Sequence, residues 1–247
     1  MDLGIAGRRA AVAAASAGLG LGVARALAAE GVEVVICGRD PDRLRAAAEA
    51  HGLVGVVADV GTPAGATAFV AAATEAVGPL DIVVANAGGP PGGGFADFPD
   101  VQAYTDAFTL NAASTIAMCQ AAVPGMCERG WGRVLAITSI AARQSSPGLI
   151  LSATARAGVT GFAKTLATVV APHGVTVNTL QPGLHATDRL RALYGGDLAP
   201  VAAGIPVGAL GRPEDFGRVA AFLCSDAARF VTGTALLVDG GAYPGLS

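Results

Sequence analysis

The sequence predicts a single α/β domain, doubly wound, with a seven-stranded parallel sheet and helices on both faces. Three observations lead there. Short apolar runs alternate with Ala-rich amphipathic segments along the chain, which is how a parallel sheet covered by helices is written. The apolar runs are mostly continuous, as strands buried on both faces should be. A length of 247 residues, 52% hydrophobic and 14% charged, suits one large domain with a full core and excludes disorder.

The strands are expected, in order, at Arg9 to Ala14, Glu33 to Cys37, Val54 to Ala58, Leu80 to Ala85, Arg133 to Thr138, Val175 to Leu180 and Ala235 to Val238, with helices between them. Asp40-Pro41 reads as an N-cap followed by a first-turn proline. Arg212-Pro213-Glu214-Asp215 opens another helix with acids in its first turn, where the helix dipole favours them. Gly31, Gly52, Gly78 and Gly174 each fall just past a helical stretch, where a left-handed residue is wanted. The run from Gly88 to Gly94 follows a strand end and reads as a flexible loop at the sheet's carboxyl edge. No internal repeat or domain linker stands out.

Several function classes drop out. With a net charge of −3 and no cluster of Lys and Arg, nothing suggests nucleic acid or an anionic membrane as a partner. No uninterrupted apolar run approaches the ~18 residues a membrane span needs. Arg8-Arg9 before an Ala-rich stretch resembles a twin-arginine signal, but glycines at 18, 20 and 22 break it, and a strand-turn-helix accounts for it better. Cys37, Cys119, Cys127 and Cys224 lie in hydrophobic runs without metal-ligand spacing. They read as small buried thiols, so no metal site is expected and a reducing cytoplasm is the expected compartment.

The most informative local motif runs from Ala14 through Ala15, Ser16, Ala17, Gly18 and Leu19 to Gly20, between the first strand and a helix beginning near Leu19. Glycines there let backbone amides approach a pyrophosphate, and the helix N-terminus adds a favourable dipole. The competing reading is a tightly packed turn that binds nothing. At the end of the second strand an acid would select NAD and a base would accommodate the 2′-phosphate of NADP. Cys37-Gly38-Arg39 supplies no acid and one arginine, which favours NADP and leaves NAD possible.

Further along lie Asp59-Val60 after the third strand, Asn86-Ala87-Gly88 after the fourth, and Asn111 in a long central helix. Ser139 follows the fifth strand, and Pro182-Gly183-Leu184-His185-Ala186-Thr187 follows the sixth. The chain closes with Thr232-Gly233-Thr234 through Asp239-Gly240-Gly241. In this order the motifs resemble those of the short-chain dehydrogenase/reductase family over essentially the whole chain. The resemblance implies a Rossmann-type sheet. It implies that Ala14, Ser16, Ala17, Gly18, Leu19 and Gly20 bind the cofactor with Arg39, Asp59, Val60, Asn86, Ala87, Gly88, Pro182, Gly183 and Thr187. It also implies a small carbonyl or hydroxyl substrate and a homo-oligomer, dimer or tetramer. One departure is that Ala13-Ala14 replaces the family's Thr-Gly, which narrows the turn's backbone freedom.

The larger departure concerns catalysis. Lys164 is the only lysine, and the residues four beyond Tyr104, Tyr194 and Tyr243 are Phe108, Leu198 and Ser247. The family's Tyr-x-x-x-Lys pair is therefore absent, and its two positions fall on Ser152 and Arg156. The candidate catalytic set is Asn111, Ser139, Ser152, Arg156 and His185. His185 is the attractive substitute acid because imidazole titrates near neutrality; the alternative is a loop histidine facing solvent. Tyr194 is weighed as a pocket-lining residue, Tyr104 as helix packing or subunit contact, and Arg143 as either an anion contact or a solvated loop residue. His51 and His173 read as helix-end cations. Three functions stay open: an NADP-linked reductase or dehydrogenase with an altered proton path, a non-redox lyase or isomerase, and a cofactor-binding protein of low turnover.

Overall fold

In the computed structural model, which describes residues 2–195 and 197–246, seven strands form one all-parallel sheet. They are Arg9–Val12 (β1), Glu33–Gly38 (β2), Val54–Val57 (β3), Ile82–Ala85 (β4), Gly132–Ile137 (β5), Val175–Pro182 (β6) and Ala235–Val238 (β7). Their spatial order is β3-β2-β1-β4-β5-β6-β7, with parallel register throughout. All seven strands stand where the apolar runs place them, with ends shifted by a few residues. The first is shorter than expected because the chain turns at Ala14, whose φ is +46°.

Alternate strand residues feed two apolar layers. Ala11, Val83, Val134 and Ala136 face one layer with Phe69, Met118, Met126 and Val159. Ala10, Val12, Val84, Leu135 and Ile137 face the other with Leu27, Leu44 and Phe216. Burial on both faces explains why the strands read as continuous apolar runs. The first layer is closed by helices Pro63–Val77 (α3), Ser114–Glu128 (α5) and Ile150–Val170 (α6), and the second by Gly18–Ala29 (α1), Pro41–His51 (α2) and Pro213–Leu223 (α9). Helix α1 lies directly on α9, since a Cβ on Gly22 or Gly217 would overlap the facing backbone. Gln102–Phe108 (α4) precedes α5, while Asp188–Tyr194 (α7) and Ala199–Ala203 (α8) fill the stretch between β6 and α9.

The helix ends follow local chemistry. The Asp40 carboxylate accepts from the amides of Asp42 and Arg43, both at 3.0 Å. These hydrogen bonds, that of Arg43 foremost, hold its pKa below the usual carboxylate value. Thr62 caps α3 and Thr187 caps α7. Gly31, Gly52, Gly78 and Gly174 all take positive φ, as expected of residues that turn the chain out of a helix. At the amino edge of the sheet the Trp131 ring lies between the guanidinium groups of Arg8 and Arg133, at 3.8 and 4.1 Å from its centroid. Asp226 ties this edge together by accepting from Trp131 Nε1 at 2.9 Å and Arg133 Nη2 at 3.2 Å. The Gly88–Gly94 stretch is a loop at the sheet's carboxyl edge, as expected, and it is tethered: Gly93 forms a bridge with Leu149, and the Gly88 and Pro90 carbonyls accept from Asn111 and Arg189.

Candidate active site

The carboxyl ends of β1 and β2 build the first wall. Ala14 occupies the left-handed region at the position where the family pattern has glycine. That geometry is held from two sides. Its amide donates to Cys37 Sγ at 3.3 Å and its carbonyl accepts from Asn86 Nδ2 at 3.2 Å. Asn86 Nδ2 also reaches the Ala13 carbonyl at 3.2 Å, so the strand-end turns after β1 and β4 are joined. Cys37 plays no nucleophilic part, since burial pushes its thiol up to about 12. Helix α1 starts at Gly18 with no side-chain cap on its N-cap residue, Ala17, and no acid in its first turn. Its leading amides therefore have no side-chain partner, the condition an anion needs at a helix N-terminus. Gly20 is required sterically: a Cβ there would stand 2.8 Å from the Ala14 carbonyl oxygen and 2.9 Å from Asn86 Nδ2.

The end of β2 carries no free acid. The side chain of buried Ser16 lies against Gly38, Arg39 is exposed, and Asp40 spends its carboxylate on capping α2. Asp59 is exposed and accepts from the Gly61 amide at 2.9 Å, while Val60 is buried in the core. Ala87 and Gly88 continue the strand-end loop after Asn86. Asn111 anchors that loop by donating from Nδ2 to the Gly88 carbonyl at 2.9 Å. The expected long central helix is in fact interrupted. Residues Thr109–Ala113 form a π-helical turn between α4 and α5, a feature that often marks functional positions. Within it the Asn111 carbonyl accepts from Thr115 Oγ1 at 2.7 Å, and its Oδ1 is buried without a partner among the described residues.

The second wall is built by β5 and α6. Ser139 caps a short 3-10 turn by accepting from the Ala141 amide at 3.1 Å, leaving its own proton free to donate. Ser152 and Arg156 lie one helical turn apart on one face of α6, and both are buried. Arg156 Nη1 donates to the carbonyls of Ile137 and Thr138 at 2.8 and 2.9 Å. These are the last residues before Ser139, so the guanidinium staples α6 to the strand end that presents the serine. Burial, then the like charge of Arg189, pushes its pKa down to about 10, still far above neutrality, so the cation is kept.

The third wall follows β6. The Gly183 amide donates to the Val238 carbonyl at 3.0 Å, and its Cα faces Asp239 too closely for a side chain. Thr187 approaches the turn after β1: its methyl carbon lies 3.7 Å from where a Cβ on Gly18 would stand. Gly18 and Thr187 share the lining of a cleft of about 140 Å³ with Gly22 and Pro213. A larger groove of about 460 Å³ runs between α6 and β7 beside Arg143 and Lys164, but neither serine lines it.

Three residues stand otherwise than the sequence leads one to expect. His185 is neither exposed nor joined to the serines: it is 5% exposed, with its ring edge-on to Phe216 at 5.2 Å and Nδ1 3.1 Å from the Gly183 carbonyl. Burial lowers its pKa, which favours the uncharged ring in that packed position. Arg143 is half-buried beside that groove rather than a solvated loop residue: its Nη2 donates to the Ala235 carbonyl at 3.0 Å and its guanidinium lies 5.7 Å from the Tyr243 ring centroid. Tyr194 is exposed at the end of α7 and packs into no pocket. Tyr104, expected as helix packing or a subunit contact, does pack against α6, its hydroxyl buried without a partner among the described residues. Sequence reasoning passed over Arg189, which reaches from α7 to the Pro90 carbonyl at 2.8 Å. The signal was a cation in a helix's first turn, where the dipole disfavours one.

Known proteins share this arrangement. A family model described as enoyl-(acyl carrier protein) reductase matches residues 13–243. The 3-oxoacyl-acyl-carrier-protein reductase FabG of Escherichia coli is 32% identical over 239 residues, covering 96% of this chain and 98% of its own. L-sorbose reductase from Gluconobacter frateurii, solved with NADPH and L-sorbose, superposes with a TM-score of 0.90 at 32% identity over both whole chains. A short chain oxidoreductase of Pseudomonas aeruginosa PAO1, solved with NADPH and described as containing an atypical catalytic center, superposes with a TM-score of 0.89 at 30% identity, covering 97% of this chain and 98% of that one. From the matched motifs, the sheet order and these likenesses together, the chain belongs to the short-chain dehydrogenase/reductase family.

Proposed function

We propose that this protein is an NADP(H)-dependent carbonyl reductase, or alcohol dehydrogenase in reverse, that works without a phenolic acid. The observation that carries the reading is Arg156 stapled to the carbonyls of Ile137 and Thr138. It holds α6, with Ser152 one turn before Arg156, against the strand end that presents Ser139. The residues present fit that cofactor. The uncapped start of α1 suits the pyrophosphate. The absence of a free acid beyond β2, with Arg39 exposed there, suits a 2′-phosphate. NADPH supplies the hydride.

The chain's own residues then have distinct tasks. Ser139 and Ser152 orient the carbonyl by hydrogen bonds to its oxygen, and Arg156 contributes a fixed positive charge that favours negative charge developing nearby. Neither serine matches a phenol in acidity, so loss of the positioned acid costs about 10²- to 10⁴-fold in rate, roughly 3 to 5 kcal/mol of barrier. Proton delivery passes to a hydroxyl in exchange with water. A small-molecule substrate, a homo-oligomer and a cytoplasmic setting complete the reading; no helix among the described residues is long and apolar enough to cross a membrane. The test is a titration with NADPH and NADH followed by NADPH consumption over a broad panel of ketones and aldehydes. Tight NADPH binding with slow turnover is expected. Binding without hydride transfer to any carbonyl refutes the enzyme assignment in favour of a cofactor-binding role.

A further inference from the structure

The groove of about 460 Å³ between α6 and β7 lies outside the site described above, since neither Ser139 nor Ser152 lines it. Two cations line it and no acid does. Arg143 and Lys164 are those cations, and neither belongs to an ion pair among the described residues. The Arg143 guanidinium is anchored through Nη2 to the Ala235 carbonyl, beside the Tyr243 ring. Its Nε and Nη1 have no partner among the described residues. The exposed Lys164 side chain crosses Gly233, where an added Cβ would stand 3.1 Å from Nζ.

The floor of the groove holds polar atoms left unsatisfied. Along β6, Val175 and Val177 face the apolar layer beneath α6, and by the same alternation so do Thr179 and Gln181. Their register partners on β7 are Ala235 and Leu237, which line the groove. Thr179 and Gln181 are each 1% exposed, and Thr179 Oγ1 and Gln181 Oε1 have no hydrogen-bond partner among the described residues. The direction of the Gln181 amide follows from its neighbour. Thr160, which also lines the groove, gives its hydroxyl proton to the Arg156 carbonyl at 3.0 Å, so toward Gln181 Nε2, 3.5 Å away, it can only accept. The carbonyl oxygen of Gln181 is the end left over.

Buried polar atoms are ordinarily satisfied, and those that are not call for a partner from outside the chain. The Gln181 oxygen takes a hydroxyl or amino group, whereas the two cations take an anion. A lysine and an arginine together balance a dianion, and a phosphate monoester carries about two negative charges at neutral pH. The volume is that of a small-molecule site. We propose that this groove is a second ligand site, for a phosphate monoester bearing free hydroxyl groups. Arg143 and Lys164 bind the phosphate, and a ligand hydroxyl donates to Gln181 Oε1. The groove shares no lining residue with the cleft at Gly18 and Thr187, so this site stands or falls apart from the reductase reading.

The test titrates the full chain by calorimetry with glycerol 3-phosphate, inorganic phosphate and glycerol, at constant ionic strength and with NADP in excess to fill the cofactor cleft. Glycerol 3-phosphate should bind about tenfold or more tightly than inorganic phosphate, and glycerol should not bind measurably. Lys164→Met and Arg143→Met should each weaken glycerol 3-phosphate about tenfold. Gln181→Met should bring it down to the level of inorganic phosphate, and Arg39→Met, beside the cofactor cleft, should change neither. No binding, or equal binding of the two phosphates, overturns the proposal. So does a loss of affinity in Arg39→Met with none in Lys164→Met, which would assign the phosphate to the cofactor cleft. A Lys164→Met chain whose oligomeric state changes in light scattering while its affinity does not also overturns it, by making the groove a contact between copies of the chain.

Discussion

Replacing Gly20 by alanine should separate the cofactor turn from the rest of the fold. The new Cβ would stand 2.8 Å from the Ala14 carbonyl oxygen, 2.9 Å from Asn86 Nδ2 and 3.0 Å from the Ala15 Cα. Two of these three atoms are backbone and the third is hydrogen-bonded to backbone, so none swings away cheaply. Relief requires α1 to back off by a few tenths of an ångström, an overpacking cost of about 1 to 3 kcal/mol. Stretching the two Asn86 hydrogen bonds adds about 0.5 to 1.5 kcal/mol each if they are lost. The better helix propensity of alanine returns up to about 1 kcal/mol. The net loss is about 1 to 5 kcal/mol, which lowers Tm by roughly 2 to 20 °C in a chain of this size. Because the displaced amides are those proposed to face the pyrophosphate, NADPH affinity should fall at least about tenfold. Gly161→Ala is the control. Nothing lies within 4 Å of its added Cβ, so the same substitution in α6 should stabilise by about 0.5 to 1 kcal/mol and leave NADPH binding alone. Thermal unfolding and NADPH titration of both variants decide the matter. A Gly20→Ala protein that melts at or above wild type, or that loses stability while binding NADPH normally, would refute the claim that this contact positions the turn.

Three other outcomes are expected. Ser152→Tyr combined with Arg156→Lys should raise NADPH-dependent ketone reduction by about 10²-fold or more by restoring a positioned acid; no gain in a folded double variant sinks the register that aligns Ser152 with the family tyrosine. Since burial lowers the His185 pKa below its ordinary 6.5, its stabilising contribution is fully present above 6.5 and is lost as pH falls through the folded value. Wild type should therefore lose stability with a slope up to about 1.4 kcal/mol per pH unit steeper than His185→Gln in that window, and parallel denaturation curves would show the ring to be solvated. Asp226→Ala removes the acceptor shared by Trp131 and the nearly buried Arg133. It should destabilise by about 2 kcal/mol in urea unfolding without changing NADPH affinity, and a cofactor-binding defect would contradict a purely structural role for that edge.

The strands were legible because burial on both faces leaves a one-dimensional trace, a run of β-branched and small apolar residues. The glycine turn, the N-cap at Asp40, the helix start at Arg212-Pro213, and the positions of Ser139, Ser152 and Arg156 were legible because each depends on neighbours close in sequence. What stayed hidden depends on distant partners. That an alanine at the family's glycine position keeps φ of +46° was not legible, since the hydrogen bonds to Cys37 and from Asn86 that hold this strained turn come from distant segments. His185 looked like a pocket residue because its segment lines the nicotinamide in the family. Its ring turns inward onto Phe216 and Gly211, which lie in a helix and loop far along the chain. Arg143 and Arg189 likewise find backbone carbonyls across the fold, and no spacing rule announces such contacts.

The exchange of tyrosine and lysine for Ser152 and Arg156 changes the division of labour between the two positions. A phenol and an ammonium can each give up a proton within reach of physiological pH, and each shifts the other. A serine hydroxyl does not ionise there. A guanidinium at about 10 holds its charge throughout the neutral range, and it is committed to the Ile137 and Thr138 carbonyls. The pair therefore has no titration of its own near neutrality. Hydride transfer limited by this site should be nearly independent of pH between about 6 and 9, where an acid of pKa near 10 lowered by a neighbouring cation would impose a falling limb. Where the site cannot supply a titrating proton, its remaining means of catalysis is the fixed charge of Arg156 and the hydrogen bonds of the two serines.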